Sequence, residues 1–442
     1  MNKTVLGIAI VLLTVSIAGA EDPPSSKPLE CMKNYKMKEF PVVAWTFHNY
    51  PGTDYTEQYA KDVAAANFNA VLETGYMMEA YQKAGVSVIL NILVDDKLTE
   101  RDVWGTKRTH PIEKGLDLTE AHAKYGKNPA LVGYHAGSMY GSHPLPSRTA
   151  QRVKAVEDLK SGLFPWVSHC WDVDGHDKAG ISIMTIQCFG RIKHDGFGYD
   201  NKGWAHDKRN AYCAHLEDGR VICNKVNMAF WPMFPAATIS KGHGDAPAGN
   251  LHGHSEIRFQ VLAPIAYGAQ GVVYFGYSTT REVWQPGGAS YEAAKDVNEL
   301  VTKVIGPRVL GHRSIGVYCS RPDAPERLRI KPPKGALTPG EGQLIEKMDG
   351  GAMAGVLVAE MDFKSGANTP AYVMLIDART APLDQEKELK ERTLNITFGP
   401  QVQAVEILGA KGEPAVTKAA REVSVKLRGG DGRLLRIIPA AK

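Results

Sequence analysis

Two carboxyl groups held near one another can divide acid and base work between them. Three carboxylates of this chain are candidates for such work: Glu256, Asp174 and Glu73. Glu256 opens an apolar helical stretch, Asp174 lies in the run DVDGHD, and Glu73 closes a short apolar run. Each also fits a plainer role. Glu256 suits the positive end of a helix. Asp174, with Asp172, suits an acidic turn or an incomplete calcium loop. Glu73 suits a buried ion pair.

A second set of residues has the character of a ligand surface. Tyr50, Tyr140, Trp171, Trp231, Tyr277 and Trp284 offer flat rings that match the apolar faces of sugars. His48, His169, His194 and Arg191 offer charge-assisted hydrogen bonds, which suit sulfated or uronic units. A His/Tyr pair would also serve β-elimination on a uronate, a lyase chemistry. His243, Asp245, His252 and His254 lie in a Gly-rich loop at a spacing that matches no helix or strand ligand pattern. No metal and no cofactor are assigned.

These residues need a frame that gathers them. Residues 255–278, SEIRFQVLAPIAYGAQGVVYFGYS, supply its clearest step. Ser255 is a good N-cap, and Phe259, Leu262, Ala263 and Ala266 recur at helical spacing. Gly268 and Gly271 stop the helix, and a β-branched and aromatic run follows as a buried strand. Seven more short apolar runs precede it, at 42–47, 70–73, 87–93, 131–137, 165–170, 181–189 and 226–234. Helical patterns separate most of them, and 190–225 reads as a long loop. The expectation is an α/β fold, a (β/α)8 TIM barrel over 38–312, close to the roughly 250 residues such barrels use. No Gly-rich phosphate turn follows the first strand, which disfavours a doubly wound sheet. Past residue 313 the pattern becomes short alternating strands with turn residues, which predicts a small antiparallel β-sandwich over 313–442. In such barrels the active face is the carboxyl end of the strands, and the candidate residues follow the strands there.

The 442 residues carry a net charge of +4, too small to imply nucleic acid. Residues 1–20 read as a signal peptide: Lys3, an apolar stretch, then Ala18-Gly19-Ala20. Residues 21–37 form a Pro-, Ser- and Lys-containing lead-in. The expected location is secreted or periplasmic, with no membrane attachment after cleavage. Export permits disulfides. Cys213 and Cys223 flank Asp218-Gly219, a hairpin signal, which makes a bridge between them one expectation.

The succession FPVVAWTFHNY, NFNAVLE, VSVILNIL, NPALVGYHAG and EIRFQVLAPIAYGAQGVVYFGY resembles the β-galactosidase-like TIM-barrel glycoside hydrolases (clan A type) of secreted bacterial polysaccharide-degrading systems. The resemblance covers the barrel and extends loosely to the β-domain. It implies a carbohydrate substrate. One departure matters. Such barrels often carry an acidic acid/base residue after the fourth strand, whereas residues 137–144 here read GSMYGSHP, without a carboxylate. The run AFWPMF of the seventh strand also lacks one. The expected function is therefore glycoside hydrolysis on a poly- or oligosaccharide with a non-standard carboxylate arrangement. The alternatives are a catalytically inactive glycan-binding barrel or a polysaccharide lyase. Oligomeric state is not legible.

Overall fold

The computed structural model describes residues 27–46, 57–73, 75, 77–92, 117–138, 147–168, 180–186, 212–236, 253–277, 285–320, 332–381, 389–408, 414–418 and 421–440. The signal-peptide reading of 1–20 lies outside the described residues. Among the described residues no helix is long and apolar enough to cross a membrane.

The N-terminal part is a curled parallel sheet. Its strands are β1 (Val42–Thr46), β2 (Ala70–Glu73), β3 (Ser87–Asn91), β4 (Leu131–Ser138), β5 (Phe164–Ser168), β8 (Met233–Pro235) and β9 (Val272–Tyr277), hydrogen-bonded in the order β5-β4-β3-β2-β1-β9-β8. A two-stranded parallel sheet joins β6 (Ile183–Met184) to β7 (Ala229–Phe230). β7 and β8 belong to one extended segment. Its N–H groups at Ala229, Trp231 and Met233 donate to Ser182, Met184 and Ile186, while Gln270 and Val273 donate to its carbonyls at Phe230 and Pro232. Pro232 has no N–H to return toward β9, so the ladder is broken there.

Backbone hydrogen bonds thus link neighbours from β5 round to β6, by way of the interrupted β7–β8 segment. Among the described residues no backbone ladder joins β5 to β6. β6 carries ladder pairing over only two residues. Side chains cross the seam instead. Trp166 Nε1 donates to Thr185 Oγ1 at 2.6 Å. At the other end Tyr35 Oη bonds Glu157 at 2.8 Å and Ser182 at 3.0 Å.

Period-two alternation sorts the strands into two cores. Val43, Ala70, Leu72, Ile89, Val132, Phe164, Trp166, Trp231, Val273 and Phe275 fill the hollow of the sheet. Leu29, Met32, Tyr35 and Met37 of the lead-in pack into the same cluster from the strands' amino ends. Val42, Ala44, Val71, Val88, Leu90, Tyr134 and Tyr274 face the helices. Burial on both faces is why these strands read as unbroken apolar runs. The helices include α1 (Glu57–Ala65), α2 (Met78–Ala84), α3 (Leu118–Tyr125), α4 (Ser147–Asp158), α5 (Tyr212–Val226), α6 (His254–Ala266) and α7 (Ala289–Leu300).

α5 corrects two expectations. The supposed loop before residue 225 contains this helix, and Cys213 and Cys223 lie on it rather than across a hairpin. Ten residues of helix separate them by about 15 Å, far beyond disulfide reach. Neither forms a disulfide, and both are buried. Burial pushes the Cys223 thiol well above its ordinary pKa, which leaves it unreactive.

The C-terminal part is two antiparallel sheets. One has six strands in the order β10-β12-β13-β18-β15-β16: β10 (His312–Cys319), β12 (Ala352–Ala359), β13 (Pro370–Asp377), β18 (Gly432–Pro439), β15 (Val402–Leu408) and β16 (Pro414–Lys418). The other has β11 (Ile345–Met348), β14 (Arg392–Phe398) and β17 (Glu422–Leu427). Ala354, Val356, Val373, Leu375, Leu394, Ile396, Val423 and Leu435 form the core that includes both sheets. The alternate residues Met353, Leu357, Tyr372, Met374 and Ile376 join the helix-facing core of the barrel part. β12 and β13 are therefore buried on both faces.

α6 lies against that sheet, and every residue from Ser255 to Ala266 is buried. Arg258 donates to the Gly429 carbonyl at 2.8 Å and pairs with Asp431 at 3.2 Å, while Ser255 Oγ bonds both the N–H and the carbonyl of Ala381.

His312 opens β10, with its ring 5.2 Å from that of Tyr372. Burial lowers its pKa below the ordinary value of 6.5. The unfolded chain then binds more protons than the folded one just below pH 6.5, so stability falls as pH drops through that window. Urea midpoints should decrease between pH 7.5 and 5.5, and His312→Gln should flatten the decrease. An unchanged slope in the variant would assign the effect elsewhere.

Candidate functional site at the strand carboxyl ends

The interior side chains at the carboxyl end of the sheet are polar and aromatic. Trp45 comes from β1, Asn91 from β3, His135 from β4, Trp166 and Ser168 from β5, and Phe275 from β9. Thr185 follows β6. Trp45 lies edge-to-face with His135 (5.4 Å), Trp166 (5.5 Å) and Phe275 (4.9 Å), and the His135 ring is 5.1 Å from Trp166. Trp45 and Asn91 are half-buried, whereas His135 and Ser168 are buried.

His135 is tied at both ring nitrogens. Nδ1 is 3.3 Å from Asn91 Oδ1 and Nε2 is 3.0 Å from Ser168 Oγ. The amide oxygen only accepts, so Nδ1 carries the proton and Nε2 is left to accept from the serine hydroxyl. The register explains the assembly: Asn91 pairs with His135 across β3–β4, and Ser168 with Ser138 across β4–β5.

No protein-family model matches the chain, and no curated protein matches it. Solved structures do. A structure described as a glycoside hydrolase is 10% identical, superposes with a TM-score of 0.51, and is matched over 94% of this chain and 98% of its own. A noncanonic maltogenic alpha-amylase from Thermotoga neapolitana is 9% identical with a TM-score of 0.49, over 90% of this chain and 99% of its own. Alpha-galactosidase I from Mortierella vinacea is 13% identical with a TM-score of 0.42, over 90% and 97%.

The likeness is one of fold. At 10% identity the first of these shares the fold alone, which agrees with the barrel architecture expected from the sequence.

The structure places four of the candidate catalytic and substrate-binding residues, and it puts His254, expected in a Gly-rich loop, at the first position of α6. Trp231 and Tyr277 are not rim residues: both are fully buried. Trp231 packs 5.5 Å from Phe164 inside the sheet, and Tyr277 packs 4.5 Å from Phe68 in the helix-facing layer. Trp231 follows the alternation of its strand, whereas Tyr277 is turned to the helix side by a shift of register at Gly276, whose φ is 75°. Glu256 is buried at the start of α6, where its carboxylate accepts from the Gly253 N–H at 3.1 Å. Glu73 is in phase with Val71 rather than Leu72, and accepts from the Met77 N–H at 3.3 Å, holding the turn into α2. His48, Tyr50, Tyr140, His169, Trp171, Asp174, Arg191, His194 and Trp284 lie outside the described residues.

Sequence reasoning missed Trp45, Asn91, His135, Ser168 and Thr185. For four of them the signal was phase. Trp45, Asn91, Ser168 and Thr185 each lie two residues from an interior apolar side chain (Val43, Ile89, Trp166 and Ile183), whereas His135 is out of phase with Val132 because the register of β4 shifts on either side of it.

Proposed function

We propose that this chain is an exported glycoside hydrolase-like protein, a complete (β/α)8 barrel with a β-sandwich, acting on a poly- or oligosaccharide that includes anionic units. The observation that carries the reading is the polar and aromatic layer at the strand carboxyl ends, with Trp45 half-open and Asn91 beside it. An aromatic face next to fixed hydrogen-bonding groups suits a sugar ring. The signal-like residues 1–20 support export, and the His and Arg content of the strand-end loops supports an anionic ligand. Acid–base work falls to Glu256 with Asp174, in a non-standard arrangement.

A second reading, glycan binding without hydrolysis, is favoured by one observation: residues 137–144 after β4 carry no carboxylate. A panel of neutral, sulfated and uronic glycans, followed by calorimetry and reducing-end release, separates the two. Trp45→Ala should weaken binding by about 2 kcal/mol, near 30-fold, as loss of a buried aromatic anchor does. Glu256→Gln should abolish release while the protein stays folded. Binding without release selects the second reading, and neither binding nor release across the panel rejects both.

A further inference from the structure

We propose that Ser168, His135 and Asn91 act as nucleophile, base and orienting group, and that this barrel mouth hydrolyses carboxylic esters. The proposal goes beyond the glycoside reading and does not rest on it.

Three neighbouring strands each contribute one member from the carboxyl end, where the active face of such folds lies. The chain of contacts has the order a nucleophilic serine needs. Ser168 Oγ is 3.0 Å from His135 Nε2, and His135 Nδ1 is 3.3 Å from Asn91 Oδ1. A base within reach of the hydroxyl, itself oriented by a third group, is the recurring arrangement for activating serine. The tautomer is the required one, because the acceptor-only Oδ1 keeps the proton on Nδ1 and leaves Nε2 basic. The ring is also held sideways, between Trp45 and Trp166, and Trp166 is itself fixed by its bond to Thr185. Such rigid placement on strands preserves the geometry a reaction needs.

The chemistry balances as follows. Ser168 Oγ bonds to the ester carbonyl carbon while its proton moves to His135 Nε2. Collapse of the tetrahedral intermediate breaks the bond to the alkoxy group, which leaves as an alcohol with that proton. Water then adds to the acyl-serine, giving one proton to His135. Breakage of the acyl bond returns that proton to Ser168 and releases the carboxylic acid. Asn91 is neutral and stabilises the transient imidazolium less than a carboxylate would, so slow turnover with an observable acyl-enzyme is expected.

The test uses the full chain, a fluorophosphonate probe and p-nitrophenyl acetate. Intact-mass and peptide spectra should show one adduct, on Ser168. Ser168→Ala should remove it, and His135→Gln should slow labelling by ~100-fold, the range of general-base assistance. Because His135 is buried and its replacement can unfold the protein, Ser168→Cys provides an almost isosteric check. Its thiol, next to the imidazole, should be alkylated by iodoacetamide at pH 6.5 in the folded protein. No adduct on Ser168, equal labelling of Ser168→Ala, or an unreactive thiol in the folded Ser168→Cys protein would overturn the proposal. These readouts involve no sugar, so failure of glycan binding leaves them unaffected.

Discussion

Asp377→Ala should destabilise the C-terminal part by about 3–5 kcal/mol, the cost of removing one member of a buried ion cluster. Asp377 is fully buried at the end of β13. Its carboxylate accepts from Arg379 Nη2 at 2.6 Å and Arg392 Nη2 at 2.9 Å, with further bonds from both Nε atoms. Alanine leaves two guanidinium groups facing one another without their shared counter-charge. Asn at this position keeps the shape and loses the charge, so it should recover less than half of the loss. Guanidinium unfolding followed by far-ultraviolet dichroism measures both. A loss under 1 kcal/mol for Asp377→Ala would show that water replaces the carboxylate at little cost.

Gly355→Ala should cost about 3 kcal/mol, the upper end of ordinary overpacking. A Cβ at 355 would lie 2.2 Å from the Ala266 carbonyl oxygen and 2.4 Å from its Cα. Those are backbone atoms of α6 and cannot rotate aside, so the helix must lift off the sheet. The readout can be placed at a distance, because all seven tryptophans precede residue 313. Trp fluorescence therefore reports the barrel part while the substitution sits in the sandwich. The fluorescence midpoint in denaturant should fall together with the dichroism midpoint. If fluorescence holds while dichroism falls, the two parts unfold separately, and α6 does not couple them.

The two tests probe the device that gives this molecule its shape. α6 follows a strand of the parallel sheet, yet it is buried on all sides because β12 and β13 cover its outer flank. Its Arg258 and Ser255 reach backbone groups at Gly429 and Ala381. A helix that is apolar all round needs such a second cover. The large β-sheet answers with residues of both alternation phases buried, Ala354 and Val356 on one side, Met353 and Leu357 on the other.

Several elements were legible in the chain because local physics decides them. The apolar runs at β1 to β5 and at β9 announce buried parallel strands, and the alternating runs at β14 and β17 announce a half-exposed antiparallel sheet. α5 was misread because Asp218-Gly219 is a turn signal when taken locally. The tertiary reason for that glycine is different: a Cβ at 219 would come within 2.5 Å of the Phe230 ring. Packing between helix and strand, not chain reversal, requires it. Trp231 and Tyr277 were misplaced for a related reason. Residue type suggested a ligand surface, while strand phase buried Trp231 and a register shift at Gly276 buried Tyr277.

The sequence by itself determined the strand pattern, the change to a β-rich C-terminal part, and the absence of a carboxylate after the fourth strand, because periodicity and residue identity are local properties. Only the tertiary structure decided which polar groups meet. Asn91, His135 and Ser168 are 44 and 33 residues apart in the chain, and each sits inside a strand run with nothing nearby to mark it. Their contact depends on the parallel register of three strands, and that register exists only once the sheet has formed.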